Sequence, residues 1–230
     1  MPLYKQAIPK SARMGYLETL SYVQDLLLVE IGSIGHSDYA RKWIQATIPY
    51  PALLYTIPLT QKQLIMGDLS VVEKGLEELI QQHHPRIIFI IESAIVTTIG
   101  LNLQSVCNKL ENQYGISIVD RTLTMKNDEK IGKTLALYDL CRYVCIKPNI
   151  KTDTFNIIGD GIIDEASILT LKQKYHLKFN IQFPSNRTLS SLEKLTQAKL
   201  NIVISEEGLK VAKYLKRTYQ MDYIEEIYAK

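Results

Sequence analysis

The sequence predicts an α/β protein built from two tandem, doubly wound parallel sheets, and three observations carry that expectation. Apolar runs of strand length alternate with stretches of helical periodicity along most of the chain, as when each strand is followed by a crossover helix. One run, Ile87-Ile88-Phe89-Ile90-Ile91 after Arg86, is apolar throughout, as a central parallel strand covered on both faces requires. The length, 230 residues, suits two domains of about 100 to 130 residues each.

The elements follow in order. Leu26 to Ile31 predicts the first strand, and Gly32-Ser33-Ile34-Gly35-His36 a turn into a helix that starts near Asp38. Ala52 to Ile57 is a second strand closed by Pro58, and Thr60 is the expected N-cap of a short helical turn. Ser70 is expected to cap a helix whose apolar positions Val72, Leu76, Leu79 and Ile80 recur at helical spacing until Pro85. The central run comes next, then a helix from Leu103 to Gln113 stopped by Gly115, a strand over residues 116–119 and a long helix from Asp128 to Val144. The polar stretch 147–153, with Pro148 in it, separates a second series, so the boundary divides a first domain, 1–148, from a smaller second one, 149–230. That series reads as a strand over 155–158 entering Gly159-Asp160-Gly161, a helix from Asp164 to Tyr175, a strand from Lys178 to Phe183 and a short helix near Ser190. A strand from Asn201 to Ile204 and a helix from Glu206 to Tyr219 close it. Two Rossmann-like units result, and in such sheets ligands bind outside the carboxyl ends of the strands.

Composition narrows the function. With 46% hydrophobic and 22% charged residues the chain can fill real cores, and a net charge of +3 from 27 basic and 24 acidic side chains leaves no basic stripe for nucleic acid. No apolar run nears the roughly 18 residues of a membrane helix and the N-terminus has no signal-like core, so a cytoplasmic location without membrane contact is expected. Cys107, Cys141 and Cys145 form neither a disulfide framework nor a paired zinc signature. Cys141 and Cys145 share a helix face and read as small buried residues, since two ligands seldom hold a metal. Fourteen tyrosines against four phenylalanines suit contact surfaces wet on one side.

The chemistry-bearing candidates sit at strand ends. Gly32 and Gly35 let backbone approach a ligand ahead of a helix N-terminus, though without the full dinucleotide spacing, and Gly159-Asp160-Gly161 has the same limitation. Gly132-Lys133-Thr134 lacks the upstream glycine of a phosphate loop, since Asn127 stands there. His83-His84 ends a helix, where the dipole favours an imidazolium. His36 occupies a turn, where it could ligate a metal, move protons near neutral pH, or simply be solvated. Glu92-Ser93 ends the most apolar strand, at the position of a site or of a helix cap.

Residues 31–41, IGSIGHSDYAR, resemble the segment of the nitrogenase component 1 family that usually reads HGPxGC followed by a tyrosine. Residues 59–67, LTQKQLIMG, are similar to that family's sE.diVfGG segment, and Arg86 to Ile91 with Glu92-Ser93-Ala94 and Ile99-Gly100 to its stC…iiGDD segment. Phe155 to Asp160 and Lys199 to Val203 are similar to its second domain. The resemblance implies a relative of nitrogenase, of its cofactor-assembly scaffolds and of the dark-operating tetrapyrrole reductases. In that family two component 1 chains hold an iron-sulfur cluster between them and receive electrons from an ATP-dependent iron-sulfur reductase. Family chains usually carry three α/β domains, and two are expected here.

The departures shape the expected site. His36 stands where the family's motif places a cluster cysteine, Ala94 stands at the next such position, and residues 5–16 contain no cysteine. A cluster wants thiolates, although imidazole replaces some of them in Rieske centres. The expectation is therefore no cofactor held by this chain alone, or an iron-sulfur cluster shared with a partner chain, with His36 as its one metal ligand. Gly32, Ser33, Gly35, His36, Glu92 and Ser93 are the expected cofactor-binding residues. The expected function is an oxidoreductase subunit that pairs with a component 1-like chain or with itself. A non-redox protein that binds or assembles a tetrapyrrole or metal cofactor, and a degenerate structural subunit, are the alternatives.

Overall fold

The computed structural model describes residues 11–227 apart from 33, 50, 124–127, 149, 162 and 185–187, and leaves the side chains of 33–37 outside the description. β1 (Leu27–Gly32), β2 (Leu53–Pro58), β3 (Ile87–Glu92) and β4 (Ser117–Arg121) form a parallel sheet in the order β2-β1-β3-β4. Every residue of β1 and β3 is buried, as central strands with helices on both faces should be. β5 (Thr152–Ile158), β6 (Lys178–Phe183), β7 (Ala198–Val203) and β8 (Asp222–Glu225) form a second parallel sheet, ordered β6-β5-β7-β8. The predicted α/β class and two-sheet plan therefore hold.

The helices show where local signals decide and where they do not. α1 (Ala12–Ser21) has no counterpart among the expected elements, and α2 (Ile34–Thr47) begins ahead of Asp38, taking Gly35 and His36 into its first turn. α3 (Gln61–Met66) starts at the predicted cap: the Thr60 side chain accepts from the Gln63 amide, and the Gln63 side chain accepts in return from the Thr60 amide. In α4 (Ser70–His83) Ser70 is the first helical residue rather than the cap, and its amide donates to Asp68 Oδ1 at 3.0 Å. α5 (Ala94–Ile99) is a further unexpected turn of helix, and α6 (Gln104–Tyr114) ends at Gly115 in the left-handed region at φ 66°. α7 (Glu129–Val144) and α8 (Glu165–Tyr175) are capped by Asp128 and Asp164, each accepting an amide of the first turn. α9 (Leu189–Leu192) is short, and the expected helix from Glu206 is a 3-10 turn over Glu206–Gly208 followed by α10 (Leu209–Tyr219).

One core joins the two sheets through α7. Phe89, Ile91 and Val119 of the first sheet, Leu137 and Leu140 of α7, and Leu192, Val211 and Leu215 of the second half belong to the same buried cluster. α1 crosses α7 with backbones in contact: a Cβ on Gly132 would lie 1.9 Å from the Ala12 carbonyl oxygen, and one on Gly15 would lie 2.3 Å from that of Glu129. The glycine of Gly132-Lys133-Thr134 is thus a packing residue. Lys133 Nζ lies 2.7 Å from Asp160, just past β5, and Lys130 pairs with Glu206, just past β7. Both residues belong to the N-terminal turns of α7, the helix that follows β4. The carboxyl ends of the two sheets therefore open toward the same end of the molecule.

Candidate functional site

At the carboxyl edge of the first sheet, β1 and β3 end level, with Ile31 beside Glu92 in the ladder. Gly32 has φ 147°, and a Cβ there would fall 1.8 Å from Ser93 Oγ, so only glycine lets the two strand ends meet. The Ser93 amide donates to the Ile31 carbonyl at 2.8 Å, and the Leu59 amide donates to that of Gly32 at 3.2 Å. Ser93 occupies the N-cap position of α5 but makes no capping bond, and its buried Oγ has no partner among the described residues.

Glu92 is 5% exposed; its Oε2 accepts from Thr97 Oγ1 at 3.0 Å, and burial holds its carboxyl above the usual range. Asp120, on the neighbouring β4, is pushed up to about 6 by burial and by the charge of Glu92, and its buried Oδ1 has no partner among the described residues. Cys107 of α6 is pushed up to about 12, first by burial and then by Asp120, Glu111 and Glu92. Two carboxyls with raised pKa and a thiol thus lie near one another at this edge. The sequence reading missed Asp120 because the expected strand stopped at Val119; the signal was a carboxylate directly after an apolar run at a strand's carboxyl end.

The opposite face of the same sheet is also polar. Glu30, fully buried within β1, pairs with Arg13 of α1. Arg121 Nε donates to Asp139 Oδ2 of α7 at 2.8 Å, and the Tyr16 hydroxyl donates to the same oxygen at 2.9 Å. Burial and the Asp139 carboxylate push the Tyr16 phenol well up. In the second half, Gly159-Asp160-Gly161 is a turn held by the Asp160 amide donating to Ser205 Oγ at 2.9 Å. Burial opposes the charge of Lys133, but its bonds to Asp160 and Glu129 prevail and hold its pKa above the ordinary value.

Of the six expected site residues the structure brings Gly32, Glu92 and Ser93 together. Ser33 lies outside the described residues; Gly35 and His36 are in the first turn of α2, and the expectation that His36 ligates a metal falls on a side chain outside them. Among the described residues no three His, Cys, Asp or Glu side chains are grouped to hold a metal ion. The cysteines are all buried: Cys141 lies in the last turn of α7, the helix that joins the two sheets, and Cys145 is its C-cap, their sulfurs 3.5 Å apart. His83 does more than meet a helix dipole, because its Nε2 lies 2.8 Å from the Tyr55 hydroxyl. Among the described residues no helix is long and apolar enough to cross a membrane.

The chain is similar to several known proteins. The chain is 26% identical over 178 residues to the nitrogenase iron-molybdenum cofactor biosynthesis protein NifE of Clostridium pasteurianum, an alignment covering 74% of this chain and 38% of that protein. It is 23% identical over 176 residues to one of the subunits of the light-independent protochlorophyllide reductase of Heliobacterium modesticaldum, covering 73% and 34%. The chain therefore spans well under half the length of these curated relatives. Its fold matches that of a solved nitrogenase, Cp1 at pH 5, with a TM-score of 0.77 at 16% identity, covering 98% of this chain and 49% of that one. The model of the nitrogenase component 1 type oxidoreductase family matches residues 11–228, and the chain belongs to that family.

Proposed function

We propose that the chain serves as one subunit of a nitrogenase-like oxidoreductase, pairing at the carboxyl edge of its first sheet with a cluster-bearing component 1-like chain supplied by an ATP-dependent iron-sulfur reductase. We take 1–148 and 149–230 as its two domains. The observation that carries the pairing is the unfinished state of this edge. Among the described residues Ser93 Oγ and Asp120 Oδ1 are buried there without partners, and the helices that follow β2 and β3 leave Ile65, Met66, Ile95 and Ile99 exposed. Buried polar groups are ordinarily satisfied, and apolar side chains grouped at a strand edge suit a contact surface.

The donor set does not fit an iron-sulfur cluster held by this chain alone. A cluster needs thiolates, whereas burial pushes up the thiols of Cys107 and Cys141, and carboxylates surround Cys107. In this reading Gly32, Ser33, Gly35, Glu92 and Ser93 shape one wall of the shared cleft, and His36 supplies at most one ligand to a cluster completed by the partner. The names of the NifE relatives favour a second reading, a non-redox protein that holds a metal cofactor during assembly.

Anoxic purification of the chain alone, and with whatever co-purifies, tests the first reading by iron content and electron paramagnetic resonance. An iron-free chain and a cluster-bearing complex whose spectrum changes in His36→Ala are expected. A cluster in the isolated chain overturns the argument from the thiols, and an iron-free preparation with no component 1-like partner overturns the subunit reading.

A further inference from the structure

The two sheets have four outer edges, and one of them differs from the rest. β4 carries Asp120 and Arg121, β6 starts at Lys178, and β8 has Asp222 and Glu225, so each has charged residues of the kind that discourage edge-to-edge pairing. β2, Leu53-Leu54-Tyr55-Thr56-Ile57-Pro58, has no charge, and Pro58 stands only at its end. Its pairing with β1 runs in unbroken register from Leu27 beside Leu53 to Gly32 beside Pro58, so no bulge turns the edge away. Among the described residues no strand pairs with its outer side, and Leu53 is 47% exposed.

Grooves flank this edge on both faces of the sheet. One, of about 320 Å³, lies between β2 and α2 and is lined by Arg41, Ile44, Pro51 and Leu54. The other, of about 370 Å³, lies between β2 and α4 and is lined by Ile57, Val71, Lys74 and Glu78. An added strand would place alternate side chains in the two grooves while its backbone completes the ladder. Lys74 and Glu78 are exposed, one helical turn apart, and neither has an ion-pair partner among the described residues.

We infer that the outer edge of β2 pairs antiparallel with the same edge of a second copy of this chain, giving one continuous sheet across a two-fold axis near Tyr55. A two-fold interface requires a self-complementary patch. Here the pairing sets Leu53 of one copy against Ile57 of the other, and it brings α4 alongside its antiparallel twin with Lys74 facing Glu78 of the second copy. The charges are thus complementary under that axis, whereas a two-fold arrangement with the helices parallel would set Lys74 against Lys74 and Glu78 against Glu78. This surface is separate from the carboxyl edge, so the inference stands whichever chain covers that edge.

The test is light scattering of the purified chain across a concentration series. A dimer is expected, with the outward-pointing amides of Leu54 and Thr56 protected from hydrogen exchange only at concentrations where it forms, because those of the alternate residues, starting with Leu53, already donate to β1. Leu53→Lys should abolish it, since edge charges block pairing. Lys74→Glu should weaken association about tenfold, and adding Glu78→Lys to it should restore the affinity, which also shows that neither variant acts by misfolding. A monomer at every concentration overturns the inference, as does a dimer that persists in Leu53→Lys or one that the charge swap does not rescue. Protection of the Leu54 and Thr56 amides by a different protein, with this chain monomeric, assigns the edge to another partner and overturns it too.

Discussion

Replacing Asp120 with Asn should make the protein more stable at high pH and leave it unchanged at low pH. In the folded chain the Asp120 carboxyl titrates at about 6 rather than at 3.8, chiefly because burial disfavours its charge and because Glu92 lies nearby. The native state therefore binds this proton more tightly than the unfolded state does. Well below pH 4 both states are protonated and the group is neutral in its effect; as the pH rises through 4 toward 6 and above, the folded chain comes to hold a carboxylate that the unfolded chain carries at lower cost. The difference between 3.8 and about 6 corresponds to about 3 kcal/mol, and because Asp120 is only half-buried, solvent screening reduces this to about 1–2 kcal/mol. Asn keeps the shape without the charge, and it also relieves Glu92. Urea unfolding at pH 3, 6 and 8 should show Asp120→Asn gaining about 1–2 kcal/mol over the parent at pH 8, with the gain nearly gone at pH 3. A variant no more stable than the parent at pH 8, or one whose advantage grows on acidification, would refute the account.

Other consequences are equally direct. Gly132→Ala forces a methyl group against the Ala12 carbonyl and should lower stability by about 1–3 kcal/mol in a thermal or urea melt; an unchanged melt would mean that α1 does not dock on α7 as described. Tyr16→Phe removes one hydrogen bond to Asp139 and should cost about 1 kcal/mol, whereas Arg121→Ala strands the buried carboxylate and should cost about 3 kcal/mol; equal losses in denaturant unfolding would contradict this ranking. With all three cysteines buried, a thiol reagent at pH 8 should find no fast-reacting group in the folded chain and three after unfolding, and one rapid native thiol would show that a sulfur is open to solvent. Thr60→Ala breaks the reciprocal cap of α3 and should cost about 1 kcal/mol, read as faster amide exchange in α3.

What could be read from the sequence was local. The unbroken run in β3, the Thr60 cap and the stop at Gly115 each depend on residues within one turn or one strand, and the sheet plan followed from their alternation. α1 escaped because it is buried on nearly all sides, Gly15, Thr19 and Ser21 included, so no one-sided apolar stripe marks it. β8 escaped because Asp222-Tyr223-Ile224-Glu225 becomes a strand only through its pairing with β7. Glu92 and Ser93 were singled out by a topological rule, that sites lie at carboxyl strand ends, and Gly32 by its turn ahead of a helix, neither of which needs a contact to be known; the structure sets the three side by side. Asp120 and its influence on Cys107 depend on contacts between β3, β4 and α6, and no spacing encodes those.

The distribution of unsatisfied polar atoms carries the argument one step further. Among the described residues Glu30 Oε2, Ser93 Oγ and Asp120 Oδ1 are buried without partners, on or just past β1, β3 and β4 of the first sheet, while the second sheet contributes only Asn201 Nδ2. On the α1 and α7 side the polar groups have largely found one another, as Arg121, Asp139 and Tyr16 show. The two sheets share a topology and differ in this respect, so the orphaned Ser93 and Asp120 do not follow from the fold alone, and under the proposed pairing they are groups a partner would meet. A partner chain that satisfies Ser93 and Asp120 would lower the Asp120 pKa by supplying a donor to its carboxylate. Binding of such a partner should then strengthen as the pH rises through about 6, whereas contact through the apolar rim alone should not vary with pH over that range.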